Sequence, residues 1–97
     1  MERVETGMFA RSKAGHDKGK LYIILRTEGE YVYLTDGKLR PMANPKKKKI
    51  KHLVAKPEIL EEIREKIFAK KRIFDSEVRN KLDAIGYQEA LLPRKEG

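Results

Sequence analysis

Leu21-Tyr22-Ile23-Ile24-Leu25-Arg26, Thr27-Glu28-Gly29-Glu30 and Tyr31-Val32-Tyr33-Leu34-Thr35 are three consecutive segments on which the fold turns. The first is rich in β-branched and aromatic residues, the composition of a strand. The second sets a glycine among polar residues and turns the chain back. The third alternates, so Val32 and Leu34 share one face and Tyr31 and Tyr33 the other, the period of two that a strand imposes. Working outward, Met8-Phe9-Ala10-Arg11-Ser12 reads as the preceding strand. Asp36-Gly37 is a hairpin signal leading into a short strand around Lys38-Leu39-Arg40, which Pro41 ends. Ile50-Lys51-His52-Leu53-Val54 reads as a fifth strand. Five short strands in about fifty residues, with Val and Leu on one face, predict a small closed barrel, because closure hides the edges that a short open sheet exposes.

Past Pro57 the spacing of apolar residues changes. Ile59, Ile63 and Ile67 recur every fourth residue with Leu60 and Phe68 beside them, the stripe of a helix running from about Pro57 to Lys71. Pro57 suits a first helical turn, Glu58, Glu61 and Glu62 complement the positive end of the dipole, and Lys70, Lys71 and Arg72 its negative end. Asp75 reads as the N-cap of a second helix carrying Val78, Leu82 and Ile85, with Gly86 as its stop. Neither helix is long enough to stand alone, so the pair should form a hairpin that covers the barrel or offers Ile59, Ile63 and Ile67 to a protein partner. The expected architecture is α+β: a mostly β, five-stranded barrel over residues 1–56, then a C-terminal α-helical hairpin and tail over 57–97.

Charge divides the chain at the same place. The 97 residues carry a net charge of +8, and through Lys56 there are 14 Lys and Arg against 6 Asp and Glu, whereas the remainder holds 9 of each. The whole excess thus lies in the β part, which points to a polyanionic partner for that part and to packing or protein contact for the other. An anionic membrane would call for a basic helix with an apolar opposite face, and the basic part does not read as helix. No apolar run approaches the roughly 18–20 residues that cross a bilayer, and Met1-Glu2-Arg3-Val4-Glu5 does not resemble a signal peptide. Without cysteine, disulfides, thiolate metal sites and thiol nucleophiles are excluded, in keeping with a reducing cytoplasm. His16 and His52 lack a third ligand at useful spacing, and the Glu61-Glu62 pair falls on a charged helix face, so neither a metal, another cofactor nor catalysis is expected.

The loop Lys13-Ala14-Gly15-His16-Asp17-Lys18-Gly19-Lys20 holds the parts of a phosphate-contacting turn. Its glycines let the main chain approach a nucleic-acid backbone, and Lys13, Lys18 and Lys20 supply cationic donors. Ser12-Lys13-Ala14-Gly15 followed by Asp17-Lys18-Gly19-Lys20 and the apolar strand Leu21 to Leu25 resembles the KOW motif of ribosomal proteins and transcription elongation factors. Pro45-Lys46-Lys47-Lys48 with Lys51-His52-Leu53 is similar to the closing segment in one branch, the large-subunit ribosomal proteins of archaea and eukaryotes and their small bacterial relatives. The resemblance spans Gly7 to Val54, about half the chain. Where many KOW motifs place a further glycine after the Lys-Gly pair, this chain has Leu21-Tyr22-Ile23, which sets it apart from the transcription-factor branch.

The resemblance implies an SH3-like barrel that binds structured, ribosomal RNA, with Lys13, Gly15, Lys18, Gly19 and Lys20 at the turn and Lys47, Lys51 and His52 in the closing segment. The residues themselves add His16, the patch Lys38 and Arg40, and the run Lys46, Lys47, Lys48 and Lys49, whose like charges repel one another and gain from a polyanion that releases counterions. Such contacts read shape and backbone rather than base sequence. Tyr31 and Tyr33 either stack on unpaired bases or cover the barrel where the helices pack. The expectation is a non-catalytic, cytoplasmic, ribosome-associated RNA-binding protein, with ribosomal proteins or a translation factor as further partners. The rivals are a protein-interaction adaptor and a transcription-associated KOW module.

Overall fold

A computed structural model of the protein describes residues 3–91. Residues 92–97, the end of the expected tail, lie outside them, as do residues 1–2 of the expected N-terminal part. Five antiparallel strands, β1 (Met8–Ser12), β2 (Leu21–Glu28), β3 (Tyr31–Thr35), β4 (Lys46–Lys49) and β5 (Leu53–Ile59), form one sheet in the order β4-β3-β2-β1-β5. Two helices follow, α1 (Glu61–Phe68) and α2 (Asp75–Leu91).

Alternation along the strands builds two apolar layers. On one face Met8, Ala10, Tyr22, Ile24, Val32, Leu34 and Leu53 make a buried cluster against which Ile50, Ala55 and Ile59 pack. On the other, Phe9 and Ile23 meet Ile63 of α1, Ile73 of the interhelical segment, and Val78 and Leu82 of α2. The sheet curls about the first cluster so far that Lys48, on edge strand β4, reaches Ser12 on β1, with Nζ 2.7 Å from Oγ. The helices therefore cover the outer face of β1 and β2, and the stripe expected on them is used there: Ile63 is buried, with Ile67 packed beside it, while Ile59 belongs to β5 and the inner cluster.

Two expected strands are corrected. Lys38-Leu39-Arg40 is a turn, because the Asp36 carboxylate accepts the N–H groups of Lys38 and Arg40 at 2.8 and 2.9 Å and Thr35 Oγ1 donates to the Arg40 carbonyl at 2.7 Å. Asx-type bonds of this sort compete with strand pairing. The fourth strand is instead the lysine run. Ile50–His52 is a 3₁₀ turn, and the last strand begins at Leu53 and continues through Pro57 to Ile59. Proline is tolerated there because β5 is an edge strand and its pairing with β1 is irregular between Met8 and Ala10, opposite residues 56–58.

The helix limits shift as well. α1 starts at Glu61 instead of near Pro57, and it ends on Lys70, whose φ of +57° and the Lys71 N–H to Lys66 carbonyl bond of 2.8 Å make a Schellman-type stop without glycine. Gly86 does not stop α2. It lies inside the helix, facing Leu21 of β2, where a Cβ would make an ordinary contact at 3.9 Å from Leu21 Cδ1. Asp75 is the first helical residue, and its carboxylate accepts the Met42 N–H at 2.7 Å, tying the β3–β4 connection to the helix.

Candidate nucleic-acid interface

The turn between β1 and β2 is built on an acidic residue. Gly15 and Gly19 have φ of +83° and +90°, values that glycine adopts without strain, and they let the chain fold back so that the Lys18 N–H bonds the Gly15 carbonyl and the Gly19 N–H the Ser12 carbonyl. Asp17 is thereby turned inward to 6% exposure, while Lys13, His16, Lys18 and Lys20 stay exposed. Its carboxylate receives Lys48 Nζ at 2.7 Å, Lys46 Nζ at 2.9 Å, Ser12 Oγ at 3.0 Å and the Tyr22 hydroxyl at 3.2 Å.

Burial alone would raise the Asp17 pKa, but the bonds from Lys46, Lys48 and Ser12 more than offset it and hold the group well below the ordinary carboxylate range. The same network pushes the Tyr22 phenol up to about 12, through burial first and then the neighbouring Asp17 charge. The sequence reading missed Asp17. The signal was available, since a single acid inside a basic turn between strands has to be either exposed to no purpose or paired inward.

Strand alternation splits the lysine run into two pairs. Opposite β3, Lys48 and Lys46 face Val32 and Leu34, the inner side, whereas Lys49 and Lys47 face Tyr31 and Tyr33, the outer side. Lys48 is 9% exposed and spends its ammonium on Asp17, Ser12 Oγ and the Ala14 carbonyl, so it is not free for a phosphate. Lys46 is also committed to Asp17. Lys47 and Lys49 remain on the surface, with Lys47 Nζ 4.7 Å from the Tyr31 ring centre and 5.9 Å from that of Tyr33, and Lys49 Nζ 5.9 Å from Tyr31. The Arg26 guanidinium carbon, from β2, lies over the Tyr33 ring, 3.8 Å from its centre. Glu28, exposed, sits 3.8 Å from Lys47.

The 3₁₀ turn brings Lys51 and His52 to the turn, since the His52 carbonyl accepts the Lys13 N–H at 3.0 Å. Lys38 is exposed on the Asp36 turn and lines a cleft of about 380 Å³ with Lys20 and Arg79, together with Asp36 and Asp83. Arg40 is half-buried, and its main chain is what the structure uses, its carbonyl accepting the Asp36 N–H at 3.1 Å. No protein-family model matches this chain, and no curated protein matches it. Among the described residues no group of three or more His, Cys, Asp or Glu could hold a metal ion, and no helix is long and apolar enough to cross a membrane.

What the arrangement offers chemically is a set of ammonium groups on a stiff support. Lys13, Lys18 and Lys20 project from a turn clamped from below by a buried ion pair, and Lys51 adjoins its start. Lys47 and Lys49 alternate with tyrosines on the neighbouring strand. These donors suit phosphate oxygens, and the carboxylate inside the turn, Asp17, is buried and neutralised, whereas Glu28 stays exposed beside Lys47 and Asp36 and Asp83 line the cleft with Lys20.

Proposed function

We propose that the protein binds structured RNA, ribosomal RNA being the leading candidate, through phosphate contacts, without catalysis, and that its sheet is an SH3-like barrel of the KOW type. The observation that carries this reading is the Asp17 clamp: it fixes the glycine-bearing turn so that Lys13, Lys18 and Lys20 face outward, and it neutralises the one acid among them. A preordered cationic turn loses little entropy on meeting a phosphate backbone, and the counterions released there supply affinity without reading bases. A role in the cytoplasm with ribosomal proteins or a translation factor follows from the same reading.

The adaptor alternative loses the stripe it named, because Ile63 is buried in the contact between α1 and the sheet and Ile59 belongs to β5. Reversing Lys13, Lys18 and Lys20 to Glu together is expected to abolish binding to a folded ribosomal RNA fragment and to leave the thermal unfolding midpoint within a few degrees, since all three side chains are exposed. Undiminished RNA affinity in that variant would sink the assignment. Competition by duplex DNA as effective as by RNA would move the protein to the transcription-associated class.

A further inference from the structure

Beside Tyr33, between the outer face of β2 and β3 and the segment that follows α1, lies an open cleft of about 600 Å³. Its walls are mainly apolar, from Leu25, Met42, Pro45, Ile67 and Ile73, with Tyr33 at one side. Among the described residues its charged lining consists of Arg26 and Lys71, both cationic, with no carboxylate. The smaller cleft next to α2 differs in this respect, for Asp36 and Asp83 take part in its walls. A pocket that is apolar and aromatic inside and cationic at its margin complements a group that is flat and uncharged in one part and anionic in the other.

We propose that this cleft takes an unpaired nucleotide of the bound RNA, the base lying against the Tyr33 ring or the Arg26 guanidinium and the phosphate on Lys47 or Lys71. The proposal rests on the RNA-binding reading and adds a site that phosphate contact alone does not provide. The Arg26 guanidinium carbon lies over the Tyr33 ring, 3.8 Å from its centre, so two planar groups sit together at the cleft, and bases stack on either kind of plane. Lys47 stands between the Tyr31 and Tyr33 rings, at 4.7 and 5.9 Å, where a linking phosphate would follow from bases placed on successive outward residues of β3. Among the described residues Glu28 is the acid paired with this cation, 3.8 Å from Lys47 and well exposed, and it has to swing aside. A base paired inside a duplex cannot enter, so the cleft selects loops, bulges or single strands.

The test is fluorescence anisotropy with two labelled probes, a single-stranded RNA hexamer and a blunt RNA duplex, against the full chain and its Tyr33→Ala, Tyr33→Phe and Arg26→Ala variants. Tyr33→Ala and Arg26→Ala are each expected to weaken hexamer binding about tenfold and to leave duplex binding unchanged, while Tyr33→Phe, which keeps the ring, binds both as the parent does. Glu28→Gln should tighten the hexamer. Because Tyr33 is half-buried, Arg26→Ala, at an exposed position, keeps the test decisive if Tyr33→Ala misfolds. Duplex binding by the parent with no hexamer binding, or equal losses for both probes, overturns the proposal and leaves the RNA reading standing. Binding of neither probe overturns both. If a second copy of the chain covers the cleft, the variants shift a monomer–dimer equilibrium in sedimentation and not hexamer affinity, which also overturns it.

Discussion

Asp17 holds two ammonium groups, a hydroxyl and a phenol, and its carboxylate ties the turn before β2 to β4. Removing its charge leaves Lys48 buried and unpaired, so Asp17→Asn should lower unfolding free energy by about 3 kcal/mol in a denaturant titration at neutral pH. The pH dependence has a definite sign. The folded-state pKa of Asp17 is depressed, so its contribution is present above the unfolded carboxyl value of about 4 and is lost as pH falls through the folded value. Stability of the parent should therefore decline below about pH 4 more steeply than that of Asp17→Asn. At the alkaline end Tyr22, raised to about 12, contributes below its unfolded value of about 10, and that contribution is lost as pH rises through about 12; Tyr22→Phe should flatten this limb of a stability–pH curve.

At the scale of elements, β4 shows how a run of identical residues acquires two roles from pleating alone. Lys48→Gln should destabilise the protein and Lys47→Gln should not, whereas RNA affinity should fall for Lys47→Gln; chemical unfolding and a binding titration on the two variants separate the roles. The strands β1, β2 and β3 were legible because their apolar residues stand out and their turns carry glycine. β4 was not, because four adjacent lysines carry no hydrophobic pattern, and their strand is stabilised by pairing with β3 and by Asp17, 29 and 31 residues away in sequence. Pro57 misled for the opposite reason: it fits a helix start locally, but an edge position with an irregular pairing accepts it equally well. Of the site, the turn lysines were readable from spacing, while the inward direction of Lys46 and Lys48 and the cleft beside Tyr33 depend on how the sheet curls. Gly37 is a further case, since its φ is +72° and a Cβ would lie 2.5 Å from the Asp75 carbonyl oxygen. Gly37→Ala should cost about 2 kcal/mol by denaturant unfolding.

For the whole molecule, the charge division and the packing division do not coincide. Excess positive charge belongs to the β part, yet Phe9 and Ile23 of the sheet are buried under Ile63, Ile73, Val78 and Leu82. The helices act as the outer layer of the same structure, and a chain ending at Ile59 should expose that face and aggregate or lose its cooperative thermal transition, while the full chain melts in one. A layer without net charge on one side leaves the cations of the turn and of β4 to define the electrostatic character of the rest. The most direct test of phosphate binding is the dependence of affinity for folded ribosomal RNA on salt between about 50 and 200 mM. With Lys13, Lys18, Lys20, Lys47 and Lys49 each meeting a phosphate, affinity should fall with about the fourth power of salt concentration. A slope near zero, or no binding at the lowest salt, would contradict the account.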